Sequence, residues 1–140
     1  MKRFVCLAGA LVVIGLASLL AGRAGAGDEK TATIKDVMDA LHKGANSPLA
    51  QLKAELKSQS PDWAKIQKTT KEFVTYGAAL PKNEPPRGDP ADFKKLATTY
   101  YNTAKAIDEA AQKEDKQAAQ AAFSKLTGLC KTCHAAHKEQ

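Results

Sequence analysis

Near the end of the chain stand Cys130-Lys131-Thr132-Cys133-His134, two thiols three positions apart followed immediately by an imidazole. Three chemistries use such a set. The thiols can cycle as a dithiol and a disulfide, they can ligate zinc, or they can form thioethers with the two vinyl groups of one porphyrin while the histidine meets its iron. A redox dithiol of this spacing sits beside a βαβ unit, and the chain shows no period-2 alternation to build one. A zinc site wants four protein ligands. Cys130, Cys133, His134 and His137 supply them within eight residues, too crowded on one rigid helix to close a tetrahedron. The C-x-x-C-H spacing therefore predicts one covalently bound haem c. Cys130 and Cys133 are its thioether carriers, and His134 is the proximal ligand of the iron. In such a protein the iron carries the chemistry and the chain tunes it.

The N-terminus predicts the matching compartment. Lys2 and Arg3 precede an apolar run over residues 4–20, and Ala24-Gly25-Ala26 is a small-x-small cleavage site. That order of features is a secretory signal peptide, here residues 1–26, so the mature chain is expected to begin at Gly27. The competing role, a retained anchor, wants ~20 apolar residues. The run is a little shorter and the cleavage site follows it directly, so no stable membrane insertion is expected. Cys6 leaves with the signal. Haem c is attached on the exported side of the bacterial membrane, so signal and haem motif agree on a periplasmic protein. Removing residues 1–26 takes away Lys2, Arg3 and Arg23 and no acid, which lowers the net charge from +6 to +3. The remaining lysines are interleaved with acids and form no basic arm, which argues against a nucleic-acid partner.

Residues 27–140 read as one all-α domain, rich in Ala, Lys, Gln and Leu. Thr33 with Asp36 resembles a capping box. Ile34, Val37, Met38 and Leu41 then make one apolar stripe, ended by Gly44. Ser47-Pro48 and Ser60-Pro61 each set a capping side chain before a proline at the first helical position. The first opens a short segment with Leu49, Leu52 and Leu56 on one face. The second opens a longer helix carrying Trp63, Ile66, Phe73, Val74 and Leu80 inward. The proline-rich residues 81–88 make a surface loop. Asp89-Pro90 restarts a helix with Phe93, Leu96, Tyr100, Ala104, Ile107 and Ala111 at core spacing. After a turn at residues 113–115, the last helix covers residues 116–138 and presents Leu126, Leu129, Cys130 and Cys133 on its apolar side. Gly128 marks either a close approach to the porphyrin or a weak point. Four main helices with short connections predict an antiparallel four-helix bundle.

Such a bundle, with C-x-x-C-H on its last helix, resembles the class II cytochromes c, the cytochrome c′ group. Cys130-Lys131-Thr132-Cys133-His134-Ala135-Ala136-His137-Lys138 is similar to that group's ending, in which a basic residue follows the haem histidine by four positions. The resemblance implies that His134 is the proximal ligand and that Lys138 lies near the haem where arginine is usual. It places His137 where an aromatic is common. It also implies that the first helix covers the distal face, that a homodimer is possible, and that redox proteins of the periplasm are the partners.

Two outcomes occur on that distal face. A methionine fills the sixth position of the iron, or an apolar residue leaves it open. Met38 lies on the buried stripe of the first helix and is the candidate ligand, against the plain role of core filler. His42, one turn on, is the alternative ligand, against a solvated histidine at a helix end. Met38/His134 ligation suits one-electron transfer. An open apolar site suits binding of NO or CO. An enzyme of peroxidase type wants a distal acid-base pair, for which only His42 offers itself, so the protein is expected not to be an enzyme. Lys82, Arg87, Lys94 and Lys95 are candidates for a basic rim towards an acidic redox partner, and Lys35 for contact with a haem propionate.

Overall fold

The computed structural model describes residues 31–138, so the predicted signal peptide lies outside the described residues. They are helical throughout, with no strand among them: α1 is Ile34–His42, α2 Pro48–Lys57, α3 Trp63–Gly77, α4 Pro90–Gln112 and α5 Lys116–His137. A short 3₁₀ turn, Leu80–Lys82, follows α3. No helix among the described residues is long and apolar enough to cross a membrane.

The expected bundle is present, with a division of labour at its start. Helices α2, α3, α4 and α5 touch in a closed ring, α2 meeting both α3 and α5 while α4 lies against α3 and α5. Short connections set sequential neighbours antiparallel. Helix α1 stands outside the ring and packs on α2 and α3. The described chain therefore has five helices, two of them short.

Each start has a local cause. Thr33 and Asp36 form a complete capping box, side chain to backbone in both directions. Ser47 accepts from the Ala50 amide ahead of Pro48, and Asp89 accepts from the Ala91 amide ahead of Pro90. The Ser60-Pro61 expectation is corrected: Asp62 is the cap of α3, accepting from the Lys65 amide, and Pro61 stays outside the helix. Carboxylate and hydroxyl caps are near equals, and of the two candidates in Ser60-Pro61-Asp62 the helix uses Asp62. Leu80 is buried as expected, but from the 3₁₀ turn, because α3 ends at Gly77. The end of α1 is sharp: Lys43 is extended and Gly44 takes φ +91°, which glycine tolerates best.

The core joins Val37 and Leu41 of α1, Leu52 and Leu56 of α2, Ile66 and Phe73 of α3, Phe93 and Ile107 of α4, and Leu126 of α5. Small residues let α4 approach its neighbours: Ala97, Ala104, Ala110 and Ala111 are all buried. A Cβ on Gly77 would stand only 3.3 Å from the Tyr100 ring, so α3 and α4 meet there at close range. Two part-buried polar ties join the same pair, Thr70 donating to Asp108 Oδ1 at 2.6 Å and Gln67 to the Ala111 carbonyl at 3.1 Å. The core is thus dense among α2–α5. The face of α1 that carries Met38 looks elsewhere.

Candidate functional site

That face lines a cavity of about 840 Å³. Helix α1 supplies Ile34, Met38 and His42, and α5 supplies Leu129, Cys130, Cys133 and His134. Phe93, Leu96, Ala97 and Tyr100 of α4 contribute a further wall, and Leu80, Glu84 and Pro86 close one side. Met38, Cys130, Cys133 and His134, apart by almost a hundred residues in sequence, share one concave space. So does His42.

Why α1 and α5 leave room is visible in their sequences. Val37 and Leu41 bury fully and anchor α1 to the core. Met38 and His42 are displaced by about one hundred degrees from them around the helix and remain only partly buried. On α5, Leu126 is buried, while Leu129, Cys130 and Cys133, one to two turns later, are only partly covered. His134 is exposed on the cavity wall. Apolar side chains left half-covered around a deep concavity are the form of a ligand site.

The thiols are free. Burial pushes the Cys130 thiol above its ordinary value. Burial, then the neighbouring Cys130 and then the Asp92 carboxylate push Cys133 up as well. A redox-active C-x-x-C is tuned in the opposite direction, towards thiolate. Zinc fares no better: both ring nitrogens of His137 are held by other partners, Arg87 and Asp92, and among the described residues no three His, Cys, Asp or Glu side chains converge as a metal-binding group. An iron bound here has to bring in-plane ligands of its own. A porphyrin does that, and the cavity volume lies in the ~300–1,000 Å³ range of cofactor sites. The residues present fit haem c, with Cys130 and Cys133 to hold it and His134 to meet the iron.

The polar feature of this cavity that sequence reasoning missed is Tyr100. At core spacing it read as packing, and it is indeed 6% exposed. Yet its hydroxyl lies 3.0 Å from His42 Nε2. Burial, and then the nearby Cys130, raise the hydroxyl's pKa well above the ordinary value, so it stays a neutral phenol. A buried tyrosine hydroxyl needs a partner, and that need is the sequence signal that could have exposed the pair. His42 is accordingly not a solvated helix-end residue. Its ring stands edge-on to Phe73 and to Tyr100. Burial, and secondarily the charge of His134, lower its pKa, which favours the neutral ring.

Other expectations divide. Lys35 and Lys138 line the cavity, as does Lys43, although Lys35 and Lys43 also pair with Asp39. Lys82, Lys94 and Lys95 are exposed. Arg87 is exposed too, and its guanidinium donates to the Ala135 carbonyl at 2.6 Å. Gly128 does not line the cavity, and a Cβ there would meet nothing within 4 Å. It lies exposed within α5.

Residues 88–138, which span the end of the loop, α4 and α5, match the family model described as Cytochrome C'. The likeness to the cytochrome c′ group is therefore shown over this part of the chain, the haem motif included. No curated protein and no solved structure matches the chain.

Proposed function

Given this cytochrome c′-like region, we propose that the protein is an exported, periplasmic c-type cytochrome that carries single electrons between redox proteins and is not itself an enzyme. One haem is held through Cys130 and Cys133, with His134 as proximal and Met38 as distal ligand. The observation that carries the reading is the gathering of Met38, Cys130, Cys133 and His134 around one apolar cavity. When bound, haem c supplies an iron centre that gains and loses one electron.

The residues do the rest. The two cysteines, on one face of α5 and nearly a turn apart, tie the cofactor to a rigid element. His134 follows Cys133 in the chain and is exposed on the same wall. Ile34, Leu49, Leu80, Leu96 and Leu129 line the space and exclude water, which favours the less charged, reduced form of the centre. On α1, His42 Nε2 is engaged by Tyr100, so the available donor on that wall is the Met38 thioether. It is a neutral, soft ligand that favours ferrous iron.

The second reading is a five-coordinate centre that binds NO or CO. The apolar lining favours it: Ile34, Leu49, Leu80, Leu96 and Leu129 face that space, and on the α1 side His42 and Tyr100 satisfy each other. Absorption spectra of native protein and Met38→Ala, in both oxidation states with and without CO, separate the two. Electron transfer predicts a low-spin native protein that takes up CO slowly and a high-spin variant that takes it up readily. A native protein already high-spin and quick to bind CO makes Met38 a packing residue and the function gas binding.

A further inference from the structure

The loop before α4 is fastened to the last turn of α5 by side chains for which the haem chemistry has no use. His137 is only 3% exposed. Its Nδ1–H donates to the Arg87 carbonyl at 3.0 Å. Its Nε2 pairs with Asp92 Oδ2 at 3.1 Å. The ring stands edge-on to Phe93, with centroids 5.4 Å apart. One side chain thus grips the loop, the first turn of α4 and a core aromatic together.

The loop returns the grip. Arg87 donates to the Ala135 carbonyl at 2.6 Å, one of the last carbonyls of α5, which have no intrahelical partner. Gly88 sits between them at φ +82°, and a Cβ there would lie 2.7 Å from His137 Nδ1 and 2.8 Å from the Ala136 carbonyl. Only a residue without a side chain lets the loop come so close to the helix. The same loop contributes Glu84 and Pro86 to the cavity that Cys133 and His134 line. Whatever holds the loop to α5 therefore fixes one wall of the cavity relative to the proximal residue.

We propose that His137 is a positioning residue. With Arg87 and Gly88 it latches residues 83–89 onto the end of α5, which closes the cavity beside His134 and holds the proximal turn in place. This rests on the haem reading given above, and the latch itself has a consequence that does not.

The test compares native protein with His137→Ala, His137→Asn and Gly88→Ala, all isolated from the periplasm in the haem-loaded form. The first readout is trypsin cleavage after Arg87, which follows loop opening and needs no haem. Loss of the grip, two hydrogen bonds, should speed cleavage roughly tenfold or more in His137→Ala. Gly88→Ala should do the same with His137 intact. His137→Asn, whose amide can still donate to the Arg87 carbonyl, should recover part of the protection. The second readout is the reduction potential with the rate of imidazole binding to the iron. Both opening variants should lower the potential and bind imidazole several-fold faster at unchanged helix content. Unchanged cleavage in both variants overturns the latch. Faster cleavage with native potential and native imidazole binding overturns the positioning role. Native protein whose mass lacks haem sinks the haem reading, and the positioning role with it, whichever way trypsin reports.

Discussion

His42 Nε2 and the Tyr100 hydroxyl, 58 positions apart in the chain, stand 3.0 Å from each other. The contact ties the last turn of α1 to the middle of α4. It also engages the Nε2 of His42, the residue one turn from Met38 on the cavity side of α1.

Removing that hydroxyl should therefore change the ligand competition. Tyr100→Phe should cost about 1–2 kcal/mol, because a half-buried ring nitrogen loses its partner. In the haem-loaded protein it should let His42 compete for the sixth position and lower the reduction potential. Chemical denaturation and redox titration of the variant check both. A potential and spectrum identical to native would mean that the hydrogen bond has no bearing on the iron.

Helix α1 has nine residues, fewer than the roughly 12–15 at which an isolated helix becomes even marginal in water. It depends on its cap and on Val37 and Leu41. Thr33→Ala removes the hydroxyl half of the capping box and should cost about 1 kcal/mol. Because Met38 rides on this helix, the same change should raise the high-spin fraction and speed CO binding. Loss of stability with an unaltered spectrum would separate α1 from the iron.

His42 also makes a pH prediction. Burial first, and then His134, hold its pKa below the ordinary 6.5 in the fold. The unfolded chain thus binds a proton at higher pH than the native chain does, and stability rises with pH between the two values. The contribution of His42 is complete above about pH 6.5 and fades as pH falls towards the folded value. Melting temperature should drop on acidification below that point, and His42→Gln should flatten part of the drop. An equal drop in the variant would assign the effect to other groups.

Export carries its own check. N-terminal sequencing of periplasmic protein should begin at Gly27. A product that keeps residues 1–26 and pellets with membranes would favour an anchor.

Much of this was legible in the sequence, for physical reasons that can be named. Caps and prolines are local, so Thr33, Ser47, Asp89 and the helices behind them could be read directly. Ser60-Pro61-Asp62 offered two competing capping side chains of similar strength, and the helix uses Asp62. The haem motif was legible because two thioethers and an adjacent imidazole dictate their own spacing. The partners of histidines were not legible. Tyr100 meets His42, and His137 meets Arg87 and Asp92, across 45 to 58 positions. Helical periodicity says which face a residue occupies and nothing about which distant hydroxyl or carbonyl will stand opposite. The role of α1 was half legible: its stripe placed Val37, Met38 and Leu41 together, but not the division by which Val37 and Leu41 bury and Met38 faces the cavity.

Everything proposed for the iron depends on Cys130 and Cys133 holding a haem. The intact mass of the protein isolated from the periplasm tests it most directly, with a Cys130→Ala, Cys133→Ala double variant beside it. The native mass should exceed that of residues 27–140 by one haem, retained through acid-acetone extraction, and the double variant should carry no covalently bound haem. A native mass equal to the bare processed chain would contradict it.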